Sequence, residues 1–89
     1  MVSAEEFYKR IIEVTEIYGY SDTELKGTSR KRDICDKRAV VSCIMKDNGY
    51  SLHEIGRMLE RSHGTVWTSY LNAREYVKDE IERIKNKLK

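Results

Sequence analysis

The chain has 89 residues, enough for one domain that buries roughly 60–65% of its unfolded surface and too few for a multi-domain machine. Charged residues make up 36% and hydrophobic residues 39%, with no proline, a balance that suits a small all-α domain of five or six helices and argues against a sandwich or a disordered tail. The net charge is only +2, from 17 basic and 15 acidic residues, so any case for a nucleic-acid partner has to come from how the charge is distributed.

Taken in order, Ser3 and Glu6 predict a capping box, and Phe7, Ile11, Val14 and Tyr18 mark an amphipathic helix that Gly19 ends. Ser21, Asp22 and Glu24 repeat the start signal, but Gly27 follows so soon after Leu25 that a single short helical turn is expected. Next comes a basic segment, about residues 26–38. Lys26, Arg30, Lys31, Arg32, Lys37 and Arg38 face only Asp33 and Asp36, a concentration of positive charge within a nearly neutral chain. From about Asp33 a longer helix is predicted to run to Asn48, with Ile34, Cys35, Ala39, Val40, Cys43 and Ile44 on a broad apolar face and Asn48-Gly49 as its stop.

The stretch 51–72 is the most informative. Ser51 and Glu54 form a second capping box, so a helix should begin at Leu52, with Leu52, Ile55, Gly56 and Leu59 as its apolar stripe. Ser62 is the next N-cap, and Val66, Tyr70, Ala73 and Val77 recur at helical spacing behind it. Two short helices separated by about three residues cross steeply, and Gly56 suits a close crossing because it has no Cβ. This is a helix-turn-helix pattern. If Val66 and Tyr70 face inward, then His63, Gly64, Trp67, Thr68 and Leu71 or Asn72 face outward, where small and hydrogen-bonding groups beside an aromatic suit the major groove. The stripe continues through Ile81, Ile84 and Leu88 with no Pro or Gly, which fits one long helix or two with a break near Lys78-Asp79.

The segment SLHEIGRMLERSHGTVWTS resembles the C-terminal DNA-binding domain of the bacterial replication initiator DnaA, whose motif is S-L-x-E-I-G followed by D-H-[ST]-T-V. Here the second motif reads Ser62, His63, Gly64, Thr65, Val66, and the likeness extends upstream through Arg30, Lys31, Arg32, Ile34 and Arg38. The resemblance implies double-stranded DNA as partner. His63 and Thr65 would make base contacts, Arg30 or Arg32 would enter the neighbouring minor groove, and Lys31, Arg38, Ser51 and backbone amides would hold phosphates. Ser62 in place of the acid and Gly64 in place of Thr or Ser imply an altered sequence preference, as do Ala39 and Asn72 where the family has Gln and a basic residue. Trp67, where the family is aliphatic, packs either against a sugar or thymine methyl or over the edge of the core. The turn at Glu60-Arg61 lacks the family's glycine, which predicts strain there.

Other classes find less support. Lys26-Gly27-Thr28-Ser29 resembles a phosphate-binding loop only superficially, and no nucleophile, base and orienter set is present, so no enzyme activity, small-molecule substrate or cofactor is expected. Cys35, Cys43, His53 and His63 do not match zinc spacing, and two buried, reduced thiols are predicted. With no membrane-length apolar run and no signal-peptide pattern, a cytoplasmic protein is expected. The alternative is a protein-interaction module, docking a replication initiator or a second copy through Trp67 and the C-terminal helix.

Overall fold

Serine starts four of the six helices in the computed structural model, which describes residues 2–89. Each of these serines sits in extended backbone and accepts from the N–H three residues on, which satisfies one of the donors a helix start leaves free. The helices are α1 (Ala4–Thr15), α2 (Asp22–Lys26), α3 (Arg32–Asp47), α4 (Leu52–Leu59), α5 (His63–Ala73) and α6 (Lys78–Leu88). The fold class is therefore all-α, with no strand among the described residues. Both predicted capping boxes have their serine in place, but the reciprocal bond forms at Ser51 alone: Glu54 accepts from the Ser51 N–H at 2.9 Å, whereas Ser3 only accepts from Glu6 at 3.2 Å.

Helix α1 tightens into a 3-10 turn, Glu16–Tyr18, and Gly19 closes it in the left-handed region at φ 85°. Helix α3 is the centre. Every residue from Arg38 to Met45 is buried, so this helix is enclosed by the others over two turns rather than half-exposed. Around it pack Phe7, Tyr8 and Ile11 of α1, Leu25 of α2, Ile55 and Leu59 of α4, Val66 of α5 and Ile81 and Ile84 of α6, in one apolar cluster. The Tyr50 ring stacks on Phe7 with centroids 5.2 Å apart, and its hydroxyl donates to the Val2 carbonyl at 2.6 Å, pinning the start of the chain beside the α3–α4 junction.

Two expectations change. The C-terminal stripe is broken, and the break comes earlier than predicted, at Arg74–Val77. A continuous helix would carry Ile81 and Ile84 off into solvent; the turn brings them back onto α1 and α3. Cys43 is buried as predicted, and burial pushes its thiol pKa up to about 11, but Cys35 is exposed. Cys35 lies near the start of α3, on the wall of the open groove between α3 and α5, so its place on the apolar stripe does not bury it. Among the described residues no helix is long and apolar enough to cross a membrane.

Candidate nucleic-acid interface

The turn between α4 and α5 is shaped by two residues. Glu60 takes the left-handed conformation at φ 55° and ψ 46°, the position where a glycine was expected and where a side chain carries a cost. Arg61 then donates its N–H to the Gly56 carbonyl at 2.8 Å, and the Arg61 carbonyl folds over Gly56 so closely that a Cβ there would lie 2.5 Å from it. Gly56 thus permits a close approach, but the approach is of the turn itself.

The turn delivers α5 with its first residues uncovered. Ser62 accepts from the Thr65 N–H at 3.2 Å, and the two hydroxyl oxygens are 2.9 Å apart. Ser62, His63, Gly64, Thr65, Trp67, Thr68 and Asn72 are all exposed, while Val66 is buried and Tyr70 half-buried, as the inward and outward assignment requires. A Cβ at Gly64 would meet nothing within 4 Å, so the glycine leaves an open notch in this surface. Thr68 donates to the Gly64 carbonyl at 3.0 Å. Trp67 stacks on Tyr70 with centroids 5.7 Å apart; Tyr70 in turn accepts from Arg74 at 2.8 Å, and Arg74 pairs with Asp47 at 3.2 Å. The indole is 42% exposed, so Trp67 overlies the edge of the core and still faces outward.

The basic segment divides. Arg30 and Lys31 are exposed and make no ion pair among the described residues. Arg32 is exposed but shared, bonded to Asp36 at 3.1 Å and lying over the Tyr76 ring at 5.5 Å. Arg38, expected on a phosphate, is buried. Its guanidinium donates to the carbonyls of Leu25 at 2.8 Å, Ser29 at 2.8 Å, Glu24 at 3.1 Å and Gly27 at 2.8 Å. The physical reason is that the end of α2 and the loop after it leave carbonyls short of partners, only that of Glu24 also taking the Gly27 N–H, and the fork of one arginine satisfies them together. Burial, and next the charge of Arg61, lower its pKa without threatening its charge.

Arg61 was not singled out in the sequence, yet it completes this arrangement. Its guanidinium also donates to the Gly27 carbonyl, and to Lys26 at 3.4 Å. Two arginines, one from α3 and one from the helix-turn-helix turn, thus clasp the same carbonyl just ahead of Arg30 and Lys31. Ser51 is only half engaged: its N–H donates to the Glu54 carboxylate and its hydroxyl accepts from the Glu54 N–H, while the exposed hydroxyl keeps its own proton to donate. The Ser51 backbone N–H, and next the Ser51 side chain, hold the Glu54 carboxyl below its ordinary pKa.

Between the start of α3 and the middle of α5 runs a groove of about 350 Å³, which brings Arg32 together with Thr68 and Asn72 beside Cys35, Ala39 and Tyr76. On the other flank, His53 of α4 and His63 of α5 meet with ring centroids 4.3 Å apart. Among the described residues no cluster of His, Cys, Asp and Glu is suited to a metal ion.

Comparison with curated proteins and with solved structures gives no match. The model of the bacterial DnaA protein helix-turn-helix family, however, matches residues 9–72. That span runs from within α1 to near the end of α5 and takes in the basic segment, the clasp and both helices of the motif, well over half of the chain. The chain therefore belongs to the bacterial DnaA helix-turn-helix family, a family of DNA-binding domains.

Proposed function

We propose that the whole chain acts as one domain that binds double-stranded DNA sequence-specifically, in replication or transcription control, with α5 in the major groove and the segment after Gly27 against the adjoining minor groove and phosphates. The observation that carries this reading is the clasp at Gly27, because it ties the exposed cations Arg30 and Lys31 to the turn that launches α5. One rigid unit then offers a reading helix and a backbone grip side by side.

Within this reading His63 and Thr65 contact base edges and Ser62 holds the helix start. The His63 and Gly64 N–H groups, unbonded among the described residues, point a positive helix end at a phosphate. Arg30 enters the minor groove in preference to Arg32, whose guanidinium is held by Asp36 and Tyr76. Thr68 and Asn72 line the far side of the groove-facing surface. The notch at Gly64 and the loss of an acid at Ser62 give this chain a sequence preference of its own. Arg38 leaves the set of phosphate contacts and becomes a support, while the Ser51 hydroxyl keeps a donor for one.

The test is fluorescence anisotropy against a family-type origin box and a scrambled duplex, each across a salt series. Preference for one sequence with a steep salt slope is expected. His63→Ala should erode the preference by about 1–3 kcal/mol, while Arg30→Ala should weaken both duplexes and lower the salt slope by about 1. Wild-type behaviour in both variants overturns the site assignment. A second reading, docking on a protein, is favoured by Trp67 and Leu71, which are 42% and 56% exposed. It loses its other half, because the apolar face of α6 is already buried against α1 and α3.

A further inference from the structure

We infer that His53 is a specificity-determining positioning residue: its imidazole, in tilted contact with His63 across the helix-turn-helix, holds the base-reading ring in its working orientation. The inference rests on the reading of α5 as the recognition helix and adds a residue from α4 that the recognition motif itself does not contain.

Little else holds His63. It is the first residue of α5, exposed, and among the described residues no hydrogen bond reaches its ring. Its neighbour Gly64 has no side chain to buttress it, and Trp67, one turn on, stacks on Tyr70 instead. An exposed side chain so placed would sample several staggered rotamers, and each would have to be given up when the ring meets a base edge. Contact with the His53 ring narrows that freedom beforehand, with centroids 4.3 Å apart and planes tilted by 40°.

The backbones beneath the two rings are well fixed. His53 is the second residue of α4, directly behind the reciprocal Ser51–Glu54 box, and α5 starts on the Ser62 cap. Gly56 sets the distance between them, since the His63 backbone nitrogen lies only 3.6 Å from where its Cβ would be. His53 therefore reaches His63 from a frame that cannot readily slip.

The experiment compares wild type, His53→Ala, His53→Phe and His63→Ala in the full chain, with two readouts. The first is the NMR position of the His63 ring protons in the free protein; the second is anisotropy on the preferred and scrambled duplexes across salt. Expected for His53→Ala is a shift of the His63 ring signals and a roughly two- to tenfold loss of preference, the size of one side chain's ordering, with scrambled-duplex affinity and salt slope unchanged. His53→Phe, which keeps a flat partner, should restore the preference. Equal weakening on both duplexes would make His53 a plain backbone contact and overturn the inference. So would an unchanged preference in His53→Ala while His63→Ala loses it, which leaves the recognition reading standing. If His63→Ala itself keeps wild-type preference, or no duplex is bound, the recognition reading fails and the positioning role fails with it.

Discussion

A guanidinium carries five donors in a rigid fork, and Arg38 directs that fork at four carbonyls from Glu24 to Ser29. Lysine places its three donors on one point and cannot span the same set, so Arg38→Lys should lose about 2–3 kcal/mol, read as a lower urea midpoint. The salt slope of DNA binding should hold, since the Arg38 guanidinium is buried and turned to carbonyls; a stable Arg38→Lys would show that the clasp contributes little. Glu60 is the opposite case, a residue whose backbone conformation glycine would adopt more readily. Glu60→Gly should gain about 0.5–1 kcal/mol, the relief of the left-handed strain less the extra entropy glycine carries in the unfolded chain. That gain should appear as a higher urea midpoint with unchanged cooperativity, and a loss would mean that the Glu60 side chain contributes more than its strained φ suggests.

At the scale of elements, α5 matters more for its first turn than for its length. Ser62→Ala should cost about 1 kcal/mol, as lost N-caps do, and should also blunt sequence preference because His63, Gly64 and Thr65 sit on the turn that frays. Ser3→Ala, at the equivalent cap of α1, should lower the thermal midpoint and leave DNA preference alone; equal effects on preference would detach the cap from recognition. The capped helices were legible because a serine and the residues after it carry a local signal, and so was the outward face of α5. The break at Arg74–Val77 was legible only as one of two options and a few residues too late, since nothing in Arg74-Glu75-Tyr76 opposes a helix; what bends the chain is the burial of Ile81 and Ile84 by helices distant in sequence. Arg38 and Arg61 were misjudged or passed over for the same reason. The carbonyls that claim them belong to a loop whose position only the fold decides.

On the scale of the whole molecule, Asp47 at the end of α3 ties three elements together, bonding Arg74 at 3.2 Å and Lys85 of α6 at 2.7 Å. Burial alone would raise its pKa, yet the hydrogen bonds from Lys85 and Arg74 outweigh burial and hold it below the ordinary carboxylate value. A lowered folded pKa means the unfolded chain binds the proton first. The contribution is therefore complete above the unfolded value of about 4 and disappears as pH falls through the folded one. Asp47→Asn should lose about 1 kcal/mol at neutral pH and approach wild-type stability as the pH falls below the folded carboxylate's lowered pKa, measured by thermal unfolding across pH. A gap that persists at low pH would assign the loss to packing instead.

Trp67 is the chain's one tryptophan, and it lies on the outward face of α5, stacked on Tyr70. The protein's indole emission thus originates where a partner would land, at a surface already partly wet. Unfolding moves that ring from a half-hydrated setting to a hydrated one and should change its colour little. A duplex settling over α5, as proposed, should quench or blue-shift it strongly, so the intrinsic fluorescence of this chain should report occupancy of α5 far better than it reports folding.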